Sequence, residues 1–556
     1  MVPESRPSSA FAEARSFALM RRVSGASAGG NSPGAGGAPG GSSGATSAGT
    51  GGTISLSGSG GTGGQPPAGD PDTCEGAAKL KSYVGCDYWP TVTANAVWSV
   101  FDFAAIVVNA GTKPATVTVD RAGQAVGEPV VVEPDSIAKI YLPWIPELKG
   151  PDATPSGGAS PLTKTVGAIG AAYHLVSDRP VSVYQFNALE YEGKGGPPGK
   201  SWANCPGNST GIGCFSFSND ASLLLPTAAL TGDYRVSVPR SFASALGTGI
   251  GSFFSITGTE NSTTVKVQLS ATGKTFAGAG IAAKGPGDVV EFKINQGDVL
   301  QLMGQPDSDL SGSLVQADRP VQVIAGNPCT TVPDQTTAAC DHLEESVLPA
   351  QTLGKRYFVS PLTGPKGNRI AQQVRLLGNV DGTQLTYRGT KPAKAPATID
   401  AGQLVDLGLI TDAFEIEGDH EFLVTMFTPS GTIVDPQGSK GDPSMSVSVA
   451  VEQYRERYIF LGPDDYDINI ADVIAPAGAV VTLDGQPAAG TPTPIAGTDF
   501  VIHRLALGPG QDGAHTLEAD KPVGLQVMGY GAATSYQYPG GANLAPIAPP
   551  PPPIIE

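Results

Sequence analysis

No stretch of this 556-residue chain approaches the roughly 18 consecutive apolar residues that cross a bilayer as a helix. Basic residues are scarce: 34 Lys and Arg stand against 51 Asp and Glu, a net charge of −17. That balance argues against nucleic acid, whose binding rests on cations neutralising phosphates, and against anionic membrane surfaces. The N-terminal "MVPESRPSSAFAEARSFALMRRV" lacks the apolar run that a secretory signal carries after its basic residues. No GxxxxGK[ST] phosphate loop occurs, so no cofactor is expected, and no GxSxG nucleophile motif accompanies the titratable cluster at 341–345. The five histidines, His174, His342, His420, His503 and His515, do not recur at a metal-ligand spacing, and no cysteine pair makes a CxxC. No metal site and no catalytic residue is assigned. A convincing helical stripe is also missing, although "CEGAAKLKSYV" would sustain about two turns.

Glycine and proline, by contrast, are abundant, at 74 and 49 residues. Part of that excess lies at the ends. Residues 1–72 form a Gly/Ser/Ala-rich leader with almost nothing apolar to bury, expected to act as a flexible tether. Residues 533–556 are expected to be a Pro-rich tail without partners. The remaining glycines and prolines punctuate short strands, the pattern of an all-β protein.

The six cysteines fall as close pairs, Cys74 with Cys86, Cys205 with Cys214, and Cys329 with Cys340. Neighbour pairing is the simplest disulfide pattern, each bridge closing a loop of about a dozen residues and contributing roughly 3 kcal/mol through chain entropy. Such pairs persist in oxidising compartments, which suggests an extracellular or cell-surface protein.

Three landmarks recur in fixed order. "SDRPVSVYQFN", "ADRPVQVIAGN" and "ADKPVGLQVMG" each place Asp and Pro before an alternating strand, at Asp178 and Pro180, Asp318 and Pro320, and Asp520 and Pro522. A fourth version, "GDHEFLVTM", keeps Asp419 but lacks the proline; Asp318, Asp419 and Asp520 are each 101 residues apart. Asp suits the first position of a turn and Pro a strand start, so each motif reads as a hairpin turn. Upstream lie Tyr234, Tyr357 and Tyr458, the last two each 62 residues before their aspartates. Between them come a Thr/Val-rich strand ("ATVTV", "TTVKVQL", "GTQLTY", "AVVTL") and a further strand ("DSIAKIYL", "GDVLQL", "GQLVDL", "TDFVIHRL"). Self-similarity of this kind signals an internal repeat. The expected organisation is four tandem β-sandwich-like modules at 74–192, 215–330, 340–430 and 444–532, with a closed β-propeller-like arrangement as the alternative.

Chemistry-bearing clusters are few. "CDHLEE" gathers Asp341, His342, Glu344 and Glu345, which reads as a polar turn leading into "SVLP". "GPDDYDIN" offers Asp464, Asp465 and Asp467 but lacks the glycine and distal glutamate of a calcium loop. Of the four tryptophans, Trp89 and Trp98 are expected in the first core, whereas Trp144, flanked by prolines in "YLPWIPELKG", is the interface candidate.

Several stretches, "KSYVGCDYWPT", "NDASLLLPTAALTGDYRV", "GKRYFVSP" and above all "ADRPVQVIAGNPCTTVPDQTTAACDHLEESVLP", resemble the N-terminal region of IgG-Fc-binding proteins, which also occurs in bacterial surface and secreted proteins. The resemblance spans about residues 74–532. It implies a non-enzymatic, extracellular binding or adhesive region whose partner is a protein or glycan at the cell surface. The competing expectations are a secreted hydrolase with an acid/base site between modules near His342, and a structural component of a surface matrix.

Overall fold

The computed structural model describes residues 70–109, 111–160, 162–243, 249–337, 340–438, 440–508 and 513–555. Most of the expected leader, residues 1–69, lies outside them. Antiparallel strands dominate the described residues, and the longest helix among them is Cys74–Leu80. Its start is fixed by Thr73, whose hydroxyl accepts from Gly76 N at 3.1 Å. The chain is all-β, as its composition suggests.

Strand pairing follows one scheme four times. A long strand takes on its first half a tyrosine-bearing strand and the Thr/Val-rich strand. On its second half it takes a both-face-buried strand and a closing strand. The long strands are His174–Asn187, Leu314–Thr330 and Ala514–Gly531; in the third group the strand is broken into Phe414–Gly418 and Phe422–Thr428. The closing strands are Ala221–Leu223, Asp341–Ser346, Ser444–Val447 and Thr534–Pro539.

The aspartate motifs are therefore not hairpin turns. Asp178 and Pro180, Asp318 and Pro320, and Asp520 and Pro522 lie inside continuous strands. Opposite the tyrosine strand the register jumps, from Val176 paired with Asp87 to Val181 paired with Gly85, and likewise in the second and fourth groups. The intervening residues form a bulge that lets one strand pass from one sheet to the next, and proline fits where no ladder N–H is required. Each aspartate side chain has one role. Asp178, Asp318, Asp419 and Asp520 accept from the backbone N of Thr116, Thr264, Gln384 and Val480, all at 2.7–2.8 Å. The bond ties the bulge to the Thr/Val-rich strand. In the third group, without proline, Asp419 lies in a full break between two strands that do not pair with each other.

The tyrosines lock the same bulge from inside. Tyr88, Tyr234, Tyr357 and Tyr458 are fully buried, and their hydroxyls donate to the carbonyls of Val181, Val321, Phe422 and Val523 at 2.5–2.6 Å. Three also accept from the backbone, from Thr231 N, Gly354 N and Arg455 N. Burying a phenol this deeply is favourable only because its polar end is satisfied.

The both-face-buried strands explain how the groups associate. On Phe103–Asn109, Phe103, Ala105 and Val107 enter the group's own core, whereas Ala104, Ile106 and Val108 pack into the core that includes the fourth group. Contacts run around a closed cycle. Gln322 Nε2 donates to Trp89 O at 2.7 Å, Arg375 Nη1 to Val238 O at 3.1 Å, Thr363 Oγ1 to Asp472 Oδ1 at 2.6 Å, and Tyr83 OH to Ile459 O at 3.1 Å. The closing strands neighbour one another in the same cyclic order. The four sheet groups form a ring rather than a line.

Two sequence expectations change. Each closing strand pairs with the group before it, so "ASLLLP" completes the first group and "DHLEES" the second. The tail 533–556 is not partnerless: Thr534–Pro539 is a buried strand, Ile547 N donates to Gln351 O, and Ile554 N donates to Gln316 Oε1. The alternation in "TSYQYP" supplies Tyr536 and Tyr538, both fully buried, which is why it is held.

Replacing Tyr357 by Phe strands the Phe422 carbonyl and the Gly354 N–H in a dry environment, at about 1–3 kcal/mol for each unpaired group. Chemical denaturation of Tyr357→Phe should show a loss of that order, and Tyr458→Phe a similar one.

Candidate functional site

The free edges of the four closing strands face one another at the centre of the ring, where unpaired backbone N–H groups have no access to water. Ala221, Glu344, Met445 and Gln537 stand opposite Phe186, Gly326, Phe427 and Met528, each five residues beyond the carbonyl that its group's tyrosine binds. Their N–H groups converge on one side chain. Asp220 Oδ1 accepts from Ala221 N at 2.9 Å and Gln537 N at 3.4 Å, and Oδ2 from Met445 N at 2.9 Å and Glu344 N at 3.2 Å. One carboxylate thus holds one donor from every group.

Two further carboxylates lie on the same edges. Asp341 Oδ1 accepts from Asn219 N at 2.6 Å and His342 N at 2.8 Å; Glu345 Oε1 accepts from Leu223 N at 3.2 Å and Ser346 N at 2.9 Å. Pro443 in the third group stands at the register of Asn219 and His342, and Pro539 in the fourth at the register of Leu223 and Ser346; neither has an N–H to satisfy. Asp220, Asp341 and Glu345 are wholly buried, and desolvation pushes each carboxyl well above its usual range. Backbone donors oppose the shift in each case; for Asp341 the charge of Asp442 adds to it.

The "CDHLEE" cluster is accordingly a buried strand rather than a polar turn. His342 Nε2 lies 3.5 Å from Glu344 Oε2, and Glu344 also accepts from Thr93 Oγ1 at 2.6 Å and Gln185 Nε2 at 2.9 Å. His342 and Glu344 do meet groups from the first sheet, as an acid/base site between modules would require. Both are 0 % exposed, however, so no substrate reaches them in this structure. Among the described residues, no three His, Cys, Asp or Glu side chains form a metal-binding group.

The other candidates are placed as follows. Cysteines pair as expected, 74 with 86, 205 with 214 and 329 with 340. Trp89 and Trp98 are buried. Trp144 is half-buried, its indole N–H donating to Phe101 O at 2.7 Å. The acidic turn at 464–467 is neutralised by neighbours, Asp465 by Lys139 at 2.6 Å and Asp467 by Lys440. His174 stacks on Trp89 at 4.2 Å between Asp87 at 2.9 Å and Asp120 at 3.3 Å. Burial opposes its protonation, but the two carboxylates outweigh burial and raise its pKa.

Asp220 escaped sequence reasoning. Its counterparts at the same register, Leu343, Ser444 and Tyr536, share no chemistry with it, so no recurring letter marks the position. The one signal near it is the stretch "NDASLLLPTAALTGDYRV", which contains Asp220 and carries part of the family resemblance.

A family model described as IgGFc binding protein matches residues 220–529, more than half of the chain. The chain belongs to the IgGFc-binding family. The human (Homo sapiens) IgGFc-binding protein is 26 % identical over 340 residues, which is 59 % of this chain and 6 % of that protein. The chain thus spans a small part of its relative's length. No solved structure matches. The match to the IgGFc-binding family begins at Asp220 itself and contains the second, third and most of the fourth sheet groups.

Asparagine in place of Asp220 presents an NH2 where two N–H donors need an acceptor. Each unsatisfied donor costs about 1–3 kcal/mol, so Asp220→Asn should lower the thermal midpoint and the denaturation free energy by several kcal/mol; an unchanged midpoint would show the edges satisfied otherwise. For His174, a folded pKa above the unfolded value of about 6.5 means its contribution is fully present below that pH and is lost as pH rises through the folded value. The stability gap between wild type and His174→Asn should therefore be present at acidic pH and shrink on the alkaline side.

Proposed function

We propose that this chain is an extracytoplasmic, non-catalytic protein-binding module, built from four copies of one β-unit, and that its partner docks on the loop end of the ring. The observation that carries the reading is the fate of the reactive side chains. Asp220, Asp341, His342, Glu344 and Glu345 are consumed in closing the ring, leaving surface loops to act. Family membership and three disulfides support an extracellular binding role. The four-copy reading is supported by the recurring aspartate and tyrosine bonds.

Loops joining each long strand to its closing strand all emerge at one end, because those strand pairs are antiparallel and share a register. They are residues 188–220, 331–340, 429–443 and 532–533. The first encloses the bridge between Cys205 and Cys214, and Cys329 and Cys340 flank the second. They are braced: Ser430 N donates to Val332 O of the neighbouring loop at 3.0 Å, Gly441 N to Gly531 O at the end of the fourth long strand at 3.0 Å, and Tyr191 OH to Asp467 Oδ1 of the acidic turn at 2.9 Å. Loops on a rigid scaffold are the usual place for recognition, and bracing lowers the ordering cost of binding.

The relative's name makes the Fc portion of immunoglobulin G the first partner to test. The full chain, immobilised, should bind Fc fragment or another protein from a defined panel of secreted proteins and glycans. A double Cys205→Ser, Cys214→Ser variant that stays folded should bind more weakly. Turnover of ester, peptide or glycoside substrates by the wild type, abolished in His342→Gln, would overturn the reading in favour of a hydrolase.

A further inference from the structure

The proline-rich end of the chain lies at the base of the ring, opposite the loop end. Each closing strand runs away from the loops, and a single 3-10 turn follows three of them: Thr227–Ala229, Ala350–Thr352 and Val451–Gln453. The segment after the fourth closing strand reaches two of these turns. Asn543 N donates to Gln453 O at 3.0 Å, and Ile547 N and Ala548 N donate to Gln351 O at 2.7 and 3.0 Å. From there the sequence is "PPPPPII", whose fixed φ favours polyproline II, a helix of three residues per turn. Burial follows that repeat. Ala548 and Ile554 are half-buried and Pro551 is buried, whereas Pro549, Pro550, Pro552, Pro553 and Ile555 are exposed. One edge of the helix lies against the ring.

That edge meets a prepared amide. Gln316 Oε1 accepts from Ile554 N at 2.6 Å, and its Nε2 faces the carbonyls of Pro552 at 3.3 Å and Pro551 at 3.5 Å. Asp233 aims it: Oδ1 accepts from Gln316 Nε2 at 3.0 Å and Oδ2 from Gln351 Nε2 at 2.6 Å, while Thr231 Oγ1 donates to Gln351 Oε1 at 3.0 Å. Polyproline II makes no internal hydrogen bonds, so its carbonyls are free for such a reader. Register singles out this place. Asp233 stands opposite Gln316, and the same positions in the other groups hold Asp87 and Val176, Arg356 and Glu417, and Arg457 and Glu518. Of the four pairs, the second alone offers an uncharged amide. In the fourth group the matching place holds a charged segment instead: Asp70 ion-pairs with Arg457 at 2.7 Å and with Arg455.

We propose that Asp233, Gln316 and Gln351 form a recognition site for an uncharged polyproline II segment, filled in cis by residues 549–555 and entered by a proline-rich segment of a partner protein that displaces them. Residues 549–555 belong to no strand and keep two edges in solvent, so they can exchange without opening a sheet. Prolines pre-order the incoming segment and lower the entropic cost of its binding. The site lies at the base of the ring, and the inference stands independently of which partner the loops bind.

Amide exchange on the full chain, read by NMR, tests the cis contact. The Ile554 amide should be protected, and Gln316→Ala should lose that protection while Ile547 and Ala548 keep theirs. A chain shortened after Ala548 retains the contacts to Gln351 and Gln453 but leaves the site open. A fluorescein-labelled peptide PPPPPIIE should bind this shortened chain at least about tenfold more tightly than the full chain, whose own tail competes at millimolar effective concentration. Gln316→Ala in the shortened chain should weaken the peptide at least about tenfold, and GSGSGIIE should bind no better than that variant does PPPPPIIE. An unprotected Ile554 in the wild type, no binding of the peptide by the shortened chain, equal binding by full and shortened chains, or undiminished binding by Gln316→Ala would each overturn the site.

Discussion

A sheet that ends must do something with its last strand. Here four sheets end at the same place, and their terminal strands turn unpaired backbone donors towards a common centre that water does not reach. Edge strands are ordinarily blunted by charge, proline or cover; a single carboxylate, Asp220, accepts the N–H of Ala221, Glu344, Met445 and Gln537 instead. The arrangement of the rest follows from that constraint. Closing strands must approach closely enough for one side chain to span them, so the groups form a cycle, and each both-face-buried strand must be apolar towards its own core and complementary towards its neighbour.

Concentrating carboxylates at such a centre is unfavourable by itself. Asp220, Asp341 and Glu345 lose their hydration and repel one another, and burial raises all three. What keeps them is geometric: a carboxylate oxygen takes two or more donors, and no apolar residue satisfies an edge N–H. The two prolines, Pro443 and Pro539, mark where the chain removes the donor rather than supplying an acceptor. A polar centre of this kind also fixes register, because sliding any closing strand by one residue would withdraw its N–H from Asp220.

Much of the local fold was legible. The disulfide partners, the Thr/Val-rich strands, the short helix at Cys74 and the all-β class follow from spacing and alternation, and the aspartates at 178, 318, 419 and 520 mark one hydrogen bond each time. What Asp–x–Pro means locally was not legible. The same residues favour a hairpin turn and a bulge, and only the partner strands decide between them. The closing strands were credited to the wrong neighbours because a strand's sequence states that it pairs without stating with which. Asp220 left no pattern at all, since one residue serves four strands and a repeat search looks for four.

The same division separates scaffold from function. Residues that recur, the bulge aspartates and the buried tyrosines, do the same job in every group and therefore say nothing about a ligand. Differences between the groups accumulate at the loop end. There the four connections run from a two-residue turn at 532–533 to the long excursion at 188–220, and two of the three disulfides are placed there. A ring whose interior is spent on holding itself together can tolerate such variation, because loop length changes entropy only slowly and the strands beneath are fixed from the axis. The physical logic thus points outward: the centre sets where the loops stand, and the loops are the part of the chain left free to specialise.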